Sequence, residues 1–197
     1  MSLKLKIKTA LAPLSRRWDG VMTVSSLVLV AAMLNPAPPV PRFQDQPPAP
    51  WVWWVENQGR FLNTGLQVAL PLITRDLAGG ISLVWVAVVG TSATHGLKRA
   101  LNDLEVGGVR LGQRPKDPES RYNFPSGHSS LSSSGAAFVA RRYSLKWLWL
   151  LVPMTLATMF ARVALDDHTW TATLAGAALG VLFTWPFCTP KNRVPSA

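Results

Sequence analysis

The chain has 197 residues, of which 48% are apolar and only 15% are charged, against roughly 25% charged residues in typical soluble domains. This shortage of charge argues against a soluble globular protein. The formal net charge is +10, but the basic residues stand between long uncharged runs instead of lining one face, so they do not indicate nucleic-acid binding. The single Cys188 excludes a disulfide framework within the chain and a Cys-rich metal site.

Long uncharged runs divide the sequence and predict membrane-spanning helices. A helix needs about 20 apolar residues to cross about 30 Å of hydrocarbon, and several runs approach or exceed this length. The run at 61–74 is the weakest candidate because it is short and contains Asn63, Gln67 and Pro71. We predict an all-α, polytopic membrane helix bundle in which residues 20–190 form one membrane-embedded domain. Its six spans correspond to residues 20–41, 61–74, 77–97, 122–140, 147–161 and 168–190.

The first run follows a basic N-terminal segment, and two interpretations are open. A cleaved signal peptide has the same order of basic and apolar residues. However, the apolar stretch starts late, and no clean small-x-small site precedes Asn35. An uncleaved first helix with a cytoplasmic N-terminus explains the same residues. This second interpretation predicts that residues 1–19 and the tail at 191–197 are cytoplasmic.

With this orientation, the distribution of basic residues fits the positive-inside rule apart from one cluster. The outside connectors hold nine basic residues, and only Arg42 and Arg60 lie away from the cluster at 98–162. The cluster therefore needs a reason of its own to be basic. The Trp-rich stretch at 51–55 is typical of a segment that lies at the membrane interface. The inside segments hold the five N-terminal basic residues, Arg75, Arg141, Arg142, Lys146, Lys191 and Arg193.

Two outside connectors carry residues suited to binding an anion. Lys98 and Arg114 precede the stretch Phe-Pro-Ser-Gly-His at 124–128. A proline, a serine able to cap, a glycine and a following run of small residues predict a helix N-terminus, whose free N–H groups bind anions. Arg162 and His168 return to the same membrane face. Two His residues, several cations and a helix N-terminus together predict an oxyanion pocket for phosphoryl transfer.

These motifs resemble the three motifs of the type 2 phosphatidic acid phosphatase (PAP2) family. They are Lys98 with Arg114-Pro115, the Pro-Ser-Gly-His motif at 125–128, and Arg162 followed after five residues by His168. The likeness covers residues 98–180. The family consists of metal-independent, usually six-span membrane lipid phosphatases whose catalytic core is shared with soluble acid phosphatases and vanadium haloperoxidases. The resemblance implies hydrolysis of a lipid phosphate or diphosphate, without a cofactor, at the outer face of the inner (cytoplasmic) membrane.

The resemblance also assigns roles to individual residues. His168 is the expected nucleophile that forms a phosphohistidine, and His128 the acid that protonates the leaving oxygen and then serves as base. The expected partners are a phosphorylated membrane lipid and the bilayer, with no nucleic acid. A phosphotransferase that uses the same intermediate is the alternative reaction. The residues expected to bind the phosphate are Lys98, Arg114, Ser126, Gly127 and Arg162.

Two positions depart from the family pattern. The family places six residues between its Lys and its Arg-Pro, so residues 105–113 are expected to loop out, and the alternative is that Arg110 binds the phosphate. The family has an Asp four residues after the nucleophilic His, where it orients the imidazole, but this chain has Ala172. Asp166 and Asp167 reach the ring only if the chain turns there. Either the orienting role has moved, or the chain turns over slowly, or it is a lipid-binding pseudoenzyme.

Other residues within the runs have structural interpretations. Gly135, Gly176 and Gly180 stand among Ala residues, which predicts close contacts between helices. His95, one turn before Lys98, is expected to hydrogen-bond a neighbouring helix, with lining of the pocket as the alternative.

Overall fold

The computed structural model describes residues 20–41 and 47–191, and these residues are mostly helical. A helix matches each of the six predicted runs, which confirms the helical fold class. The predicted segment at 1–19 and residues 192–197 of the tail lie outside the described residues. The helices are α1 (Gly20–Leu34), α2 (Pro50–Trp54), α3 (Phe61–Ile73), α4 (Leu77–Ala100), α5 (Gly127–Arg142), α6 (Leu148–Ala164) and α7 (Trp170–Thr184).

Shorter elements connect these helices. A π-helical turn, Val55–Gly59, follows α2 directly. Two short strands, β1 (Glu105–Val106) and β2 (Val109–Arg110), form an antiparallel hairpin between α4 and α5. Two 3-10 turns, Leu145–Trp147 and Trp185–Phe187, precede α6 and follow α7.

Three of the helical stretches are long and apolar enough to cross a membrane. They are Leu77–Ala100, Leu145–Ala164 and Trp170–Phe187, and α1 is a shorter apolar helix. The helices α3 and α5 have 13 and 16 residues, which corresponds to lengths of about 20 and 24 Å. These two are shorter than the hydrocarbon core, so the number of six spans stays a prediction.

Helix α5 lies at the centre of the bundle, where small side chains let its neighbours approach closely. It packs against α3, α4, α6 and α7. A Cβ atom added at Gly135 would lie 2.6 Å from the carbonyl oxygen of Asn63 in α3, and one at Gly180 would collide with the carbonyl oxygen of Ser130. The predicted close helix contacts at these glycines are therefore confirmed. Gly176 makes the same kind of contact with the carbonyl oxygen of Ser126.

The polar residues that weakened the second predicted span face the protein interior. Asn63, Gln67 and Pro71 are the buried residues of α3, and the spacing of four places them on one face. The amide of Asn63 donates hydrogen bonds to the carbonyl oxygens of Ser132 and Leu151, each at 3.0 Å. Polar groups are tolerated within membrane helices when they face the bundle and are hydrogen-bonded, so these residues are compatible with a membrane span.

A buried ion pair fixes the end of the bundle where α3 meets α4. The Arg142 guanidinium donates to both carboxylate oxygens of Asp76, at 2.7 and 2.6 Å, and to the carbonyl oxygen of Thr189 at 2.7 Å. Burial alone would raise the pKa of Asp76, but the hydrogen bonds and charge of Arg142 and the N–H of Gly79 lower that pKa overall. Asp76 also caps α4 by accepting from Gly79. This cluster joins the C-terminal segment to α4 and α5.

Substitution of Arg142 by Met is expected to destabilise the fold strongly. It leaves a buried carboxylate without its partner, which costs about 3–5 kcal/mol. Denaturant unfolding of the detergent-solubilised protein measures the loss. The double variant Arg142→Met, Asp76→Asn should recover a substantial part of it, because no buried charge remains. Equal instability in the single and double variants would contradict this origin of the effect.

Candidate active site

A cavity of about 620 Å³ opens among α3, α4 and α5 and collects most of the predicted site residues. His95 also lines it, as the alternative interpretation of this residue predicts. Away from the charged residues, the cavity is bordered by apolar side chains, including Val68, Leu83 and Leu131. The cavity therefore has a polar end and an apolar extension. The predicted site residues in its lining are Lys98, Arg114, Gly127, His128, Arg162 and His168.

Ser126 is the predicted site residue that the cavity lining does not include. Its hydroxyl caps α5 by accepting from the N–H of Ser129 at 3.4 Å, and its own N–H donates to the carbonyl oxygen of Ala172 at 2.8 Å. Ser126 is fully buried. It therefore supports the N-terminus of α5, while Gly127 and His128, in the first turn, face the cavity.

The cations of the cavity have donors left over. Lys98 is nearly buried and donates to the carbonyl oxygen of Tyr122 at 2.6 Å. The Nε atoms of Arg114 and Arg162 are buried and find no acceptor among the described residues. Burial, together with the positive charge of Arg162, lowers the pKa of Arg114 despite the opposing charge of Asp167. Unpaired cationic donors around one cavity are costly unless an anion occupies it, so they indicate an anion site.

The hairpin β1–β2 explains how Lys98 and Arg114 reach the same cavity. Gly107 and Gly108 have φ angles of 58° and 77°, the left-handed conformation that two-residue hairpin turns require. Residues 105–110 thus form a hairpin within the segment 105–113 that the spacing of the motif predicts to loop out. Arg110 donates to the carbonyl oxygens of Pro118 and Ser120, each at 2.9 Å, and holds the loop together. The structure favours Arg114 over Arg110 as the residue that meets the anion.

His168 lies in the turn before α7 and is 3% exposed. Its Nδ1 atom lies 2.7 Å from the carbonyl oxygen of Asn123. A carbonyl oxygen only accepts hydrogen bonds, so Nδ1 carries the proton and Nε2 keeps its lone pair. Burial lowers the pKa of His168 well below its usual value, and the charges of Lys98, Arg162 and Arg114 lower it further. The lowered pKa favours the neutral ring, in which Nε2 keeps its lone pair.

The side chain of Asn123 fixes the carbonyl group that contacts His168. Its Oδ1 accepts from the N–H of Thr169 at 3.0 Å, and its Nδ2 donates to the Thr169 hydroxyl at 3.2 Å. The backbone N–H of Asn123 donates to the carbonyl oxygen of Gly112 at 2.9 Å. The loop before α5 and the turn before α7 are thereby joined next to the imidazole.

Position 172, one helical turn after His168, contributes no acceptor side chain. Ala172 is fully buried in an apolar cluster with Leu111 and Phe124. Asp167 is engaged elsewhere, because its carboxylate binds Arg162 at 2.9 Å and also Lys116. The group that accepts from Nδ1 of His168 in this structure is the main-chain carbonyl of Asn123.

Two charged residues beside the site, Glu56 and Arg60, were not predicted from the sequence to belong to it. Glu56, in the π-helical turn, accepts from Arg162 at 2.6 Å and also pairs with Arg60. A terminal nitrogen of Arg60 lies 3.0 Å from Nε2 of His128. Arg60 lies away from the cluster along the sequence but close to it in space, because α2 and the π-helical turn bring the segment before α3 against α6. One sequence pattern could have indicated them: Glu56 directly follows an uncharged Trp-rich stretch, and Arg60 comes one helical turn later.

The fold and the site define a class: a helical protein with apolar helices of membrane-spanning length and a candidate anion site lined by two His residues, a helix N-terminus and several cations. Residues 48–193 match the PAP2 superfamily, and the chain belongs to this family. The resemblance seen in the sequence is thereby confirmed. The chain is a PAP2-type phosphatase, a phosphoric monoester hydrolase.

Curated relatives extend over most of the chain. A lipid A 1-phosphatase of Helicobacter pylori is 41% identical over 173 residues, which cover 87% of this chain and 88% of the relative. The lipid A 1-phosphatase of a second Helicobacter pylori strain is 39% identical over 171 residues, 86% of this chain and 89% of the relative. A lipid A 4'-phosphatase of the same species is 30% identical over 120 residues, 60% of this chain and 58% of the relative. No solved structure matches the chain significantly.

Proposed function

We propose that the chain hydrolyses the phosphate of a membrane lipid through a phosphohistidine formed at His168. The observation that carries this proposal is the convergence of a neutral imidazole, a second His and several cations on one cavity. The unpaired Nε atoms of Arg114 and Arg162 support it, because phosphate oxygens would accept from them. The apolar extension of the cavity supports a lipid as the carrier of that phosphate.

The proposed reaction has two steps. With the phosphate held by Lys98, Arg114, Arg162 and the N-terminus of α5, Nε2 of His168 attacks the phosphorus. In the structure Nε2 of His128 faces the Arg60 guanidinium, which only donates, so His128 must take up a proton together with the phosphate dianion. The bond from phosphorus to the leaving oxygen then breaks, and protonated His128 gives its proton to that oxygen. Neutral His128 then takes a proton from water as the water attacks the phosphohistidine. Inorganic phosphate leaves, and both His residues return to their starting states.

A lipid A-type glycolipid is the proposed substrate class. The choice is motivated by the two lipid A 1-phosphatases, which match most of the chain. The cavity is compatible with it, since the polar end receives a phosphate while the space toward Val68 and Leu83 remains apolar. A phosphatidate, a phosphatidylglycerophosphate and a prenyl diphosphate share the chemistry and serve as comparison substrates.

We place residues 20–190 in the inner membrane, as one phosphatase domain whose site faces the periplasm at the membrane–water interface. Arg75, Arg141 and Lys146 belong to the bundle end opposite the site, which favours a cytoplasmic location for that end. Trp51, Trp53 and Trp54 are each about half exposed at the site end, as suits residues that contact the interface. This placement implies cytoplasmic locations for residues 1–19 and 191–197.

Phosphate release from a lipid panel tests the proposed function. The purified protein is incubated in mixed micelles with lipid A, phosphatidate, phosphatidylglycerophosphate or a prenyl diphosphate, in EDTA. Inorganic phosphate from lipid A would support the proposal. Appearance of the phosphate on a second lipid would indicate a phosphotransferase. Lipid binding without any turnover would identify a pseudoenzyme and overturn the proposal.

Substitution of Ala172 by Asp distinguishes a relocated orienting role from an impaired enzyme. In hydrolases with an Asp-oriented His, the loss on removing the Asp comes mainly from the wrong tautomer, and the Asn123 carbonyl enforces the right one here. We therefore expect Ala172→Asp to lower thermal stability, because the carboxyl group enters an apolar cluster, and not to raise turnover. Initial rates and melting curves measure both. A rise in rate by orders of magnitude would show instead that the present chain is impaired.

A further inference from the structure

The Trp-rich segment, α2 with the π-helical turn (residues 50–59), is fixed to the helix that carries Arg162. Val52 and Val55 pack against Ala161 and Ala164 of α6. The ring of Trp51 stacks on Phe160, with a centroid distance of 5.3 Å. The segment is therefore part of the packed structure beside the site. π-Helical turns occur frequently at functional sites, and this one carries Glu56.

Two carboxylates hold the guanidinium of Arg162. Glu56 accepts from Nη1 at 2.6 Å, and Asp167 accepts from Nη2 at 2.9 Å. The Arg162 side chain is 7% exposed, and its Nε finds no acceptor among the described residues. Each terminal nitrogen is thus held by one carboxylate and keeps one further N–H, while the buried Nε–H has no acceptor among the described residues. A planar guanidinium held in this way presents its remaining donors in a defined direction.

Glu56 also connects Arg162 with the leaving-group side of the site. The carboxylate oxygen that accepts from Arg162 pairs with Arg60, and Arg60 in turn lies 3.0 Å from Nε2 of His128. The second carboxylate oxygen of Glu56 is buried with no hydrogen-bond partner among the described residues. An unsatisfied buried oxygen is costly, and such costs are common where function, not stability, determines the residue.

We propose that Glu56 is a positioning residue of the phosphatase reaction, which fixes the guanidinium of Arg162 for the phosphate and holds Arg60 beside His128. The inference rests on the proposed function, because it assigns Arg162 to the phosphate and His128 to the leaving oxygen. Preorganised donors stabilise a transition state without reorganisation during the reaction. If Glu56 no longer holds these donors in place, turnover should fall more than lipid binding, because lipid binding depends mainly on the apolar part of the cavity.

Kinetics of Glu56→Gln on lipid A test this role. The variant keeps the shape of the side chain but loses its charge, and kcat should fall by roughly 10- to 100-fold, as is typical for partners that orient a functional group, with a smaller change in KM. In an Arg162→Ala background, the same substitution should cost several-fold less than in the wild type, because only the contact of Glu56 with Arg60 remains to be lost. Glu119→Gln, an exposed position on the loop before α5, is the matched control and should leave kcat unchanged.

Binding of orthovanadate distinguishes a failure of this inference from a failure of the proposed function. Vanadate occupies phosphoryl sites without turnover, so calorimetric binding can be measured even if no lipid is hydrolysed. Glu56→Gln should weaken vanadate binding by roughly 10-fold, because the orientation of Arg162 is lost. A wild-type protein that binds vanadate but releases no phosphate from any lipid would overturn the proposed function alone. Unchanged kcat and vanadate affinity, or costs that are additive with Arg162→Ala, would overturn the role of Glu56.

A second variant guards against a simple folding defect. Glu56→Asp keeps the charge but is one methylene shorter, so it should give an intermediate kcat at an unchanged thermal midpoint. If both variants lose activity only in proportion to a lowered thermal midpoint, Glu56 is structural and the inference fails.

Discussion

Replacement of His168 by Ala is expected to abolish phosphate release, with a loss of roughly 10⁴-fold or more, as for other indispensable nucleophiles. The reason is geometric and electrostatic. His168 is buried and held through Nδ1 by the carbonyl of Asn123, so its Nε2 keeps the lone pair that the proposed attack requires. Initial rates with lipid A and with p-nitrophenyl phosphate measure the loss, which should be equally complete for both substrates.

Replacement of His128 provides the comparison. A general acid matters less when the leaving oxygen is already stable as an anion. His128→Ala should therefore be strongly impaired on lipid A and much less impaired on p-nitrophenyl phosphate. Vanadate binding by both variants checks that the site remains assembled. A nearly normal rate for His168→Ala with either substrate, or equal leaving-group dependence in the two variants, would contradict the assigned roles.

Replacement of Arg114 by Ala is expected to lower activity far more than replacement of Arg110 by Ala. Arg114 lines the cavity with a buried, unpaired Nε, and loss of such a charge-assisted contact costs roughly 2–4 kcal/mol, or about 30- to 1000-fold in rate. Arg110 holds the loop through two carbonyl oxygens outside the cavity lining, and its loss should change the rate by less than about 5-fold.

The same pair of variants tests the path of the loop at 105–113. Rates of both variants are measured at saturating and limiting lipid A, with thermal midpoints as the control for folding. If Arg110→Ala is the damaging substitution and Arg114→Ala is mild, the loop places Arg110 at the phosphate. Residues 105–113 would then not be an insertion that brings Arg114 to the phosphate.

The sequence predicts the helical fold because a segment that crosses the hydrocarbon core must be mostly apolar and must satisfy its own backbone hydrogen bonds. Uncharged runs of sufficient length become helices, and one helix matches each of the six runs. The run at 61–74 shows the limit of the rule. Its Asn63 and Gln67 look unfavourable in a linear pattern, yet a spacing of four aligns them on the interior side of α3. Asn63 bonds to α5 and α6, and Gln67 lines the cavity.

The site is predictable where a residue type implies a chemistry and unpredictable where only folding brings partners together. His128, His168 and the cations of the motifs follow from sequence pattern, and six of the seven predicted site residues line the cavity. The position of Ser126 depends on whether its hydroxyl turns to the helix or to the cavity. Glu56 and Asn123 carry no motif, since one acts from a distant segment and the other through its main-chain carbonyl, which any residue possesses.

Trapping the covalent intermediate tests the central claim most directly. Wild-type protein is mixed with substrate labelled in the phosphate, quenched within milliseconds, and digested under alkaline conditions that preserve phosphohistidine. We expect one labelled peptide, with the phosphoryl group on Nε2 of His168, because Nδ1 is occupied by the carbonyl of Asn123. Label on another residue, or full turnover with no labelled protein at any quench time, would contradict a phosphohistidine mechanism centred on His168.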